Sequence, residues 1–358
     1  MQLLTDYNSI KQDEWHDLIA KSSVATWFQT QQAYDFFYSQ PELFTTFVLG
    51  ITNTDDSTGK QRLRGVCVGY VTVEKNKLKQ FFTRRAIIIG GPLLANDATN
   101  EEVEFLLSNL NRRLRSKAIY VETRNFNDYS KWRLAFENAG FEYQPHLNFH
   151  IDTFSLETVD ANLGKSRKRD IRTTIREGVN IISNPTEEQV KEFYSILNHL
   201  YTTRVKTPLF PLSFFYALNR HPAGRFLLTE YKGHIIGGTV CVELQGKCLY
   251  EWFVCGEDCV YPHVFPSCFA TYSGIKYAAE HDCPRFDMMG AGTPKETYGV
   301  RDFKAKFGGK LVEHGRFIKI NQHLLYKIGE MGVRMMRNFG GGINLNISAL
   351  MKKDGGRS

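Results

Sequence analysis

The residues best suited to chemistry lie in one stretch, Tyr298-Gly-Val-Arg-Asp-Phe-Lys-Ala-Lys-Phe-Gly-Gly309. It carries Arg301, Lys304 and Lys306, with Phe303 and Phe307 interleaved. Just upstream, Arg285-Phe-Asp-Met-Met-Gly-Ala-Gly-Thr-Pro294 reads as a short strand that stops at a small-residue turn. Cations beside aromatic anchors at a strand end suit a site that grips an anion or a developing oxyanion. The competing reading is a solvated basic turn with two core phenylalanines.

A second group of cations lies between the two halves of the chain. In Leu163-Gly-Lys-Ser-Arg-Lys-Arg-Asp-Ile-Arg-Thr-Thr-Ile-Arg-Glu-Gly178, the residues Lys165, Arg169, Arg172 and Arg176 fall at helical spacings of one face. Ile171 and Ile175 mark a core-facing stripe, and Gly178 is a natural helix stop. Such a face is either solvated or a track for phosphates. A helix from Thr186 to about Thr203 follows. It leads into Thr202-Thr-Arg-Val-Lys-Thr-Pro208, where Arg204 and Lys206 could meet an anion.

These groups need a frame, and the frame repeats. In the first half, Arg64–Val73 and Arg85–Pro92 read as strands, and Thr99-Asn-Glu-Glu opens a capped helix that runs to about Arg115. Ala118–Thr123 is a further strand, a short helix ends at Gly140, and Phe141–Asp152 closes the unit. The second half has the same order: Gly233–Glu243, then Cys248–Val254 with Trp252, a helix from about Ser267 to Glu280, Arg285–Met289, the Phe303-Lys304 segment, and Gly308–Ile320 as the closing strand. This predicts a tandem α/β unit, each a mixed sheet covered by helices. The expected divisions are 1–153, 154–320 and 321–358, the last a helix over 322–337 that packs back on the first domain, followed by a flexible tail.

The 358 residues suffice for two cores, with 42% hydrophobic and 23% charged residues. No apolar run approaches the roughly 20 residues of a membrane span, and the N-terminus lacks a secretory pattern, so a cytoplasmic protein is expected. Seven cysteines without a CxxC pair fit reduced thiols. No metal and no cofactor is expected. The net charge of +7 favours anionic partners without choosing among them. No GxSxG elbow and no Cys/His pair suggests a covalent nucleophile.

The basic helix closing in Gly-Val-Asn-Ile, the Thr-Arg segment, the Phe-Asp-Met-Met-Gly strand end and the Phe-Lys-Ala-Lys-Phe-Gly-Gly motif occur in one order. That order resembles the Fem family of peptidoglycan interpeptide-bridge aminoacyltransferases, built from two acetyltransferase-like (GNAT) domains. The resemblance implies an α/β (α+β) fold of two tandem GNAT-like domains. It also implies transfer of an aminoacyl group from aminoacyl-tRNA to an amine of a peptidoglycan precursor, with possible peripheral contact with the inner membrane face. On this resemblance Lys304 stabilises the oxyanion, Phe303 shapes the acyl channel, and Arg204 contacts the precursor's diphosphate. Arg301, Lys306, Tyr298 and Trp252 complete the expected substrate site. From the chemistry of ester aminolysis, Asp287, Asp302 or the substrate itself is a candidate proton acceptor, and Asp287 could instead cap a turn. Lys165, Arg169, Arg172 and Arg176 form the expected tRNA or phosphate contact. The family's lysine after an N-terminal tryptophan is missing here, where Trp27-Phe-Gln-Thr-Gln-Gln-Ala-Tyr34 stands. Two other readings stay open: a CoA-dependent N-acyltransferase on the same fold, and a non-catalytic protein that binds RNA or an anionic glycolipid. Against the first, neither unit carries a Gln/Arg-x-x-Gly-x-Gly/Ala loop between strand and helix.

Overall fold

The computed structural model describes residues 1–54, 59–295 and 299–339. In chain order the strands are β1 (Gln2–Leu4), β2 (Phe44–Thr54), β3 (Gln61–Thr72), β4 (Ala86–Ile89), β5 (Leu93–Leu94), β6 (Tyr120–Arg124), β7 (Glu142–Gln144), β8 (Leu147–Asp152), β9 (Asn180–Ile182), β10 (Gly224–Tyr231), β11 (His234–Leu244), β12 (Cys248–Gly256), β13 (Arg285–Asp287), β14 (Lys310–Glu313) and β15 (Arg316–Ile320). They form two mixed sheets. One runs β1-β2-β3-β4-β6-β15-β7, with β5 on β3; the other runs β14-β8-β13-β12-β11-β10-β9. Among the described residues each contains one parallel pair, β4 with β6 and β12 with β13. The repeated order read from the sequence is therefore present as two sheets of matching plan.

The halves also exchange strands, which the sequence reading did not anticipate. Phe141–Asp152 is two strands: β7 stays in the first sheet, and β8 enters the second between β13 and β14. Gly308–Ile320 splits likewise, and β15 enters the first sheet between β6 and β7. Pro145 and Gly315 interrupt these runs. Gly315 has φ 63°, and a Cβ there would lie 2.2 Å from the Tyr143 ring, so only glycine makes the crossing. The two crossovers are hydrogen-bonded to each other, Gly315 N donating to His146 O at 3.2 Å.

Local chemistry explains most helix ends. Thr99 and Glu102 form a capping box for the helix Asn100–Leu114. The helix Lys165–Arg176 stops at Gly178, with φ 84° and its N–H on Ile175 O. The inward stripe of that helix is Arg167, Asp170, Ile171 and Thr174. Ile175, expected inside, is 55% exposed, because it lies at the rim of the stripe. The helix Glu187–Leu200 ends in a π-turn, Tyr201–Val205. The C-terminal helix His323–Phe339 touches the first sheet through Tyr326, whose ring meets Tyr120 edge-on at 5.3 Å.

One core joins the first sheet to the helices Glu187–Leu200 and Leu212–Arg220. An aromatic wall fills this junction: Trp252 lies 5.1 Å from Phe28 and 5.4 Å from Phe214, centroid to centroid. The second core packs the other face of the second sheet against the helices Leu156–Asn162, Lys165–Arg176 and Pro266–Glu280. Among the described residues no helix is long and apolar enough to cross a membrane.

Candidate active site

The site begins where two parallel strands part. β12 and β13 are in register only at Leu249–Phe286 and Tyr250–Asp287. Beyond that, β12 continues beside β11, while the chain after Asp287 bends toward β8. Met288 N donates to Phe149 O, and Ala291 N to Leu147 O. The bend requires left-handed backbone at Met289 (φ 50°), Gly290 (φ 122°) and Gly292 (φ 77°). A methionine held at positive φ stores strain that its surroundings must hold in place.

Asn148 and Asp287 hold it. Asp287 is fully buried, and its Oδ1 accepts from Met289 N at 2.8 Å and from Asn148 Nδ2 at 2.7 Å. Asn148 Oδ1 accepts in turn from Phe149 N and Gly290 N. His150 Nε2 lies 3.1 Å from Asp287 Oδ2. Burial works to raise the Asp287 carboxyl pKa, but His150, Arg285 and Asn148 outweigh it and hold the group below its ordinary value. Asp287 therefore caps the turn and is a weak proton acceptor.

The curled loop turns two carbonyls onto Lys304, on the helix Gly299–Ala305. Lys304 is 8% exposed; its ammonium donates to Gly290 O at 2.9 Å and to Met288 O. An ammonium has three protons, so one donor remains. Burial pulls the Lys304 pKa down, and the carboxylates of Glu251 and Asp287 oppose it. Arg301 straps the same helix to the loop through Ala291 O, at 3.0 Å, and Thr293 O. Phe303 is half-buried and meets Phe307 edge-on at 5.3 Å.

Sequence reasoning missed Arg167, which locks this motif. Its guanidinium covers both rings, at 4.3 Å from Phe303 and 4.9 Å from Phe307, and donates to Phe303 O at 3.3 Å. Arg167 sits on the buried face of Lys165–Arg176, and Gly164 N donates to Lys306 O at 3.0 Å. The opposite face of that helix lines an open groove of about 460 Å³ with Lys165, Lys168, Arg169, Arg172, Thr173 and Arg176. The basic stripe and the Lys304 motif are thus two sides of one substructure.

The strand crossing adds charge on the other side. His146 Nε2 lies 3.0 Å from an Arg316 nitrogen, and Arg316 also donates to Glu122 at 2.7 Å. Arginine can only donate, so His146 Nε2 accepts and Nδ1 carries the proton. Burial, with help from the Arg316 charge, lowers the His146 pKa to about 4. A Cβ on Gly290 would lie 3.4 Å from His146, so the imidazole borders the Lys304 cage.

The other expected residues are dispersed. Arg204 is exposed on the π-turn, 3.5 Å from Cys259 Sγ. Trp252 is half-buried in the aromatic wall, and the Lys306 side chain is exposed. Tyr298 lies outside the described residues. Among the described residues no group of three or more His, Cys, Asp or Glu side chains could hold a metal.

The fold is that of tandem GNAT-like proteins. The chain is similar to the crystal structure of FemX, with TM-score 0.68 and 13% identity over 92% of this chain and 99% of that one. It is also similar to the C-terminal domain of a putative lysylphosphatidylglycerol synthetase from Agrobacterium fabrum, with TM-score 0.55 and 12% identity over 90% and 95%. A third likeness is to a tandem GNAT protein from the clavulanic acid biosynthesis pathway, with TM-score 0.52 and 9% identity over 89% and 98%. At these identities the likeness establishes the fold. In sequence, residues 228–331 match the FemAB family. That segment holds β12, β13 and Lys304, so the part of the chain that carries the site is similar in sequence to the family the motif order resembles. No curated protein matches the chain.

Proposed function

We propose that the protein moves an aminoacyl group from aminoacyl-tRNA to an amine of a peptidoglycan precursor. The observation that carries this reading is Lys304, a buried ammonium with one donor unspent, caged at the point where two parallel strands separate. In aminolysis of an ester, the amine nitrogen bonds to the carbonyl carbon and the oxygen becomes an oxyanion. The bond to the ribose oxygen then breaks, and the proton lost by the amine ends on that oxygen. An ester is already activated, so alignment and oxyanion stabilisation suffice. Lys304 supplies the charge for the oxyanion, Phe303 borders the acyl group, and Asp287 keeps the carbonyl cage in shape. The groove on Lys165–Arg176 takes the RNA backbone, the exposed cations Arg204 and Lys306 are offered to the anionic acceptor, and Arg301 holds the helix of Lys304 on its loop.

The helix ends favour an RNA-borne donor over CoA. A CoA pyrophosphate needs free N–H groups at the helix that follows the central strand. Here Asp258 occupies that place on Pro266–Glu280, its carboxylate accepting from Ser267 N at 3.1 Å. In the first unit Glu102 closes the capping box of Asn100–Leu114. A carboxylate at each end repels a pyrophosphate.

The test is transfer from a panel of labelled aminoacyl-tRNAs to precursor amines, with acyl-CoA thioesters run in parallel. Amide product from at least one charged tRNA is expected. Product from thioesters alone would overturn the reading in favour of a CoA-dependent enzyme.

A further inference from the structure

Glu251 is 3% exposed and lies one residue past the last β12–β13 register pair. It sits where the strands part. Its Oε1 accepts from Thr239 Oγ1 at 3.4 Å, Thr271 lies near the carboxylate as well, and among the described residues Oε2 has no partner at full hydrogen-bond geometry. A carboxyl placed so deep with half its acceptors unused is costly unless a charge answers it. Across the parting, the residue after Asp287 is Met288, whose carbonyl accepts from Lys304, and the groups that act on the Glu251 carboxyl are Lys304, Thr271, Thr239 and Asp287, with Cys241 beside Thr239. Lys304 is the cation in that set. Seen from Lys304, the facing carboxylates are Glu251 and then Asp287, with His146 across Gly290. Asp287 is already engaged by Asn148, His150, Arg285 and Met289 N. Glu251 has no such cation of its own.

We propose that Glu251 is the counter-ion of Lys304, a positioning residue that keeps the buried ammonium charged with its third donor free. Two carbonyls orient the ammonium, but neutral carbonyls do not prevent a buried lysine from losing its proton. Glu251 supplies that charge from the β12 side of the parting. The pair is internally titratable: burial raises the Glu251 carboxyl to about 7, against the pull of Lys304. The catalytic consequence rests on the transfer reading above, whereas the ion pair does not.

The experiment follows Lys304 directly. The full-length protein is labelled with 13Cε-lysine, and the Lys304 resonance is assigned by its loss in Lys304→Arg. Its titration is compared between wild type and Glu251→Gln, without substrate. The midpoint is expected to fall by about one pH unit or more in Glu251→Gln, as when a buried cation loses its counter-charge. Identical midpoints overturn the proposal. Wild type alone offers a second reading that survives a folding failure of the variant. Its Lys304 signal must show an additional inflection near neutral pH as Glu251 titrates, and a single smooth titration overturns the pairing. Where transfer is observed, the basic limb of the kcat–pH profile moves to lower pH in Glu251→Gln. A merely structural role would instead lower kcat evenly across pH. Failure of transfer with the expected NMR shifts would count against the reaction and leave the ion pair standing.

Discussion

Replacing Lys304 by methionine separates a working lysine from a structural one. Methionine keeps the length and the apolar stem, so packing beside Phe303 and Phe307 is disturbed little. What disappears is the charge and its bonds to Met288 O and Gly290 O. Each charge-assisted bond is worth about 1.5–3 kcal/mol. Against that loss stands the desolvation of a cation held at 8% exposure, which costs several kcal/mol. Glu251, already shifted to about 7, is relieved by taking up a proton. These terms nearly offset, so stability should change by less than about 2 kcal/mol in either direction. Catalysis has no such offset. Loss of one preorganised oxyanion donor lowers kcat by about 10²–10³, or about 3–4 kcal/mol. The assay pairs denaturant unfolding with single-turnover transfer from labelled aminoacyl-tRNA. Turnover within threefold of wild type would refute the oxyanion role. A loss of activity that merely tracked the unfolded fraction would show a lysine that only braces the loop.

Arg169→Ala with Arg172→Ala should weaken RNA binding and flatten the slope of log K against log salt by about 1.5, since each phosphate contact contributes about 0.7–0.9; an unchanged slope would remove the groove from the RNA path. His146 bears on acid stability. Its folded pKa of about 4 lies below the ordinary histidine value, so between pH 6.5 and 4 the unfolded chain binds the extra proton and stability falls as pH drops. After discounting for partial exposure, His146 accounts for about 2 kcal/mol of that fall, and His146→Gln should make the acid limb of an unfolding profile correspondingly shallower. Gly308→Ala should cost about 2 kcal/mol or more in denaturant unfolding, because φ is 78° and a Cβ would lie 2.0 Å from Asn162 O. Here activity and stability should fall together, unlike in Lys304→Met.

Elements with local causes were legible from the residues alone. Thr99 with Glu102 marked a helix start, Gly178 a helix stop, and the spacing of Lys165, Arg169, Arg172 and Arg176 one face, all of which recur in the structure. The order of motifs pointed to the tandem GNAT-like fold and to the FemAB likeness of residues 228–331 for the same reason: each motif is contiguous. The exchange of β8 and β15 was not legible, because a sheet partner is chosen by contacts far along the chain. Pro145 and Gly315 were the available signals, and they announce a break in a strand without saying where the next part goes. Ile175 failed at the rim of its stripe for a related reason, since helical periodicity does not say how wide the buried arc will be.

The same division holds inside the site. Which residues carry charge, and which turns need glycine, was written in the order of amino acids, since capping, backbone freedom and helical spacing act over a few neighbours. That Lys304 would be buried, face the carbonyls of Met288 and Gly290, and find Glu251 rather than Asp287 still without a cation of its own was decided only by the packed sheets. Burial and Coulomb interaction depend on distance through space, and strands more than a hundred residues apart, β8 and β13 among them, set those distances only after they pair.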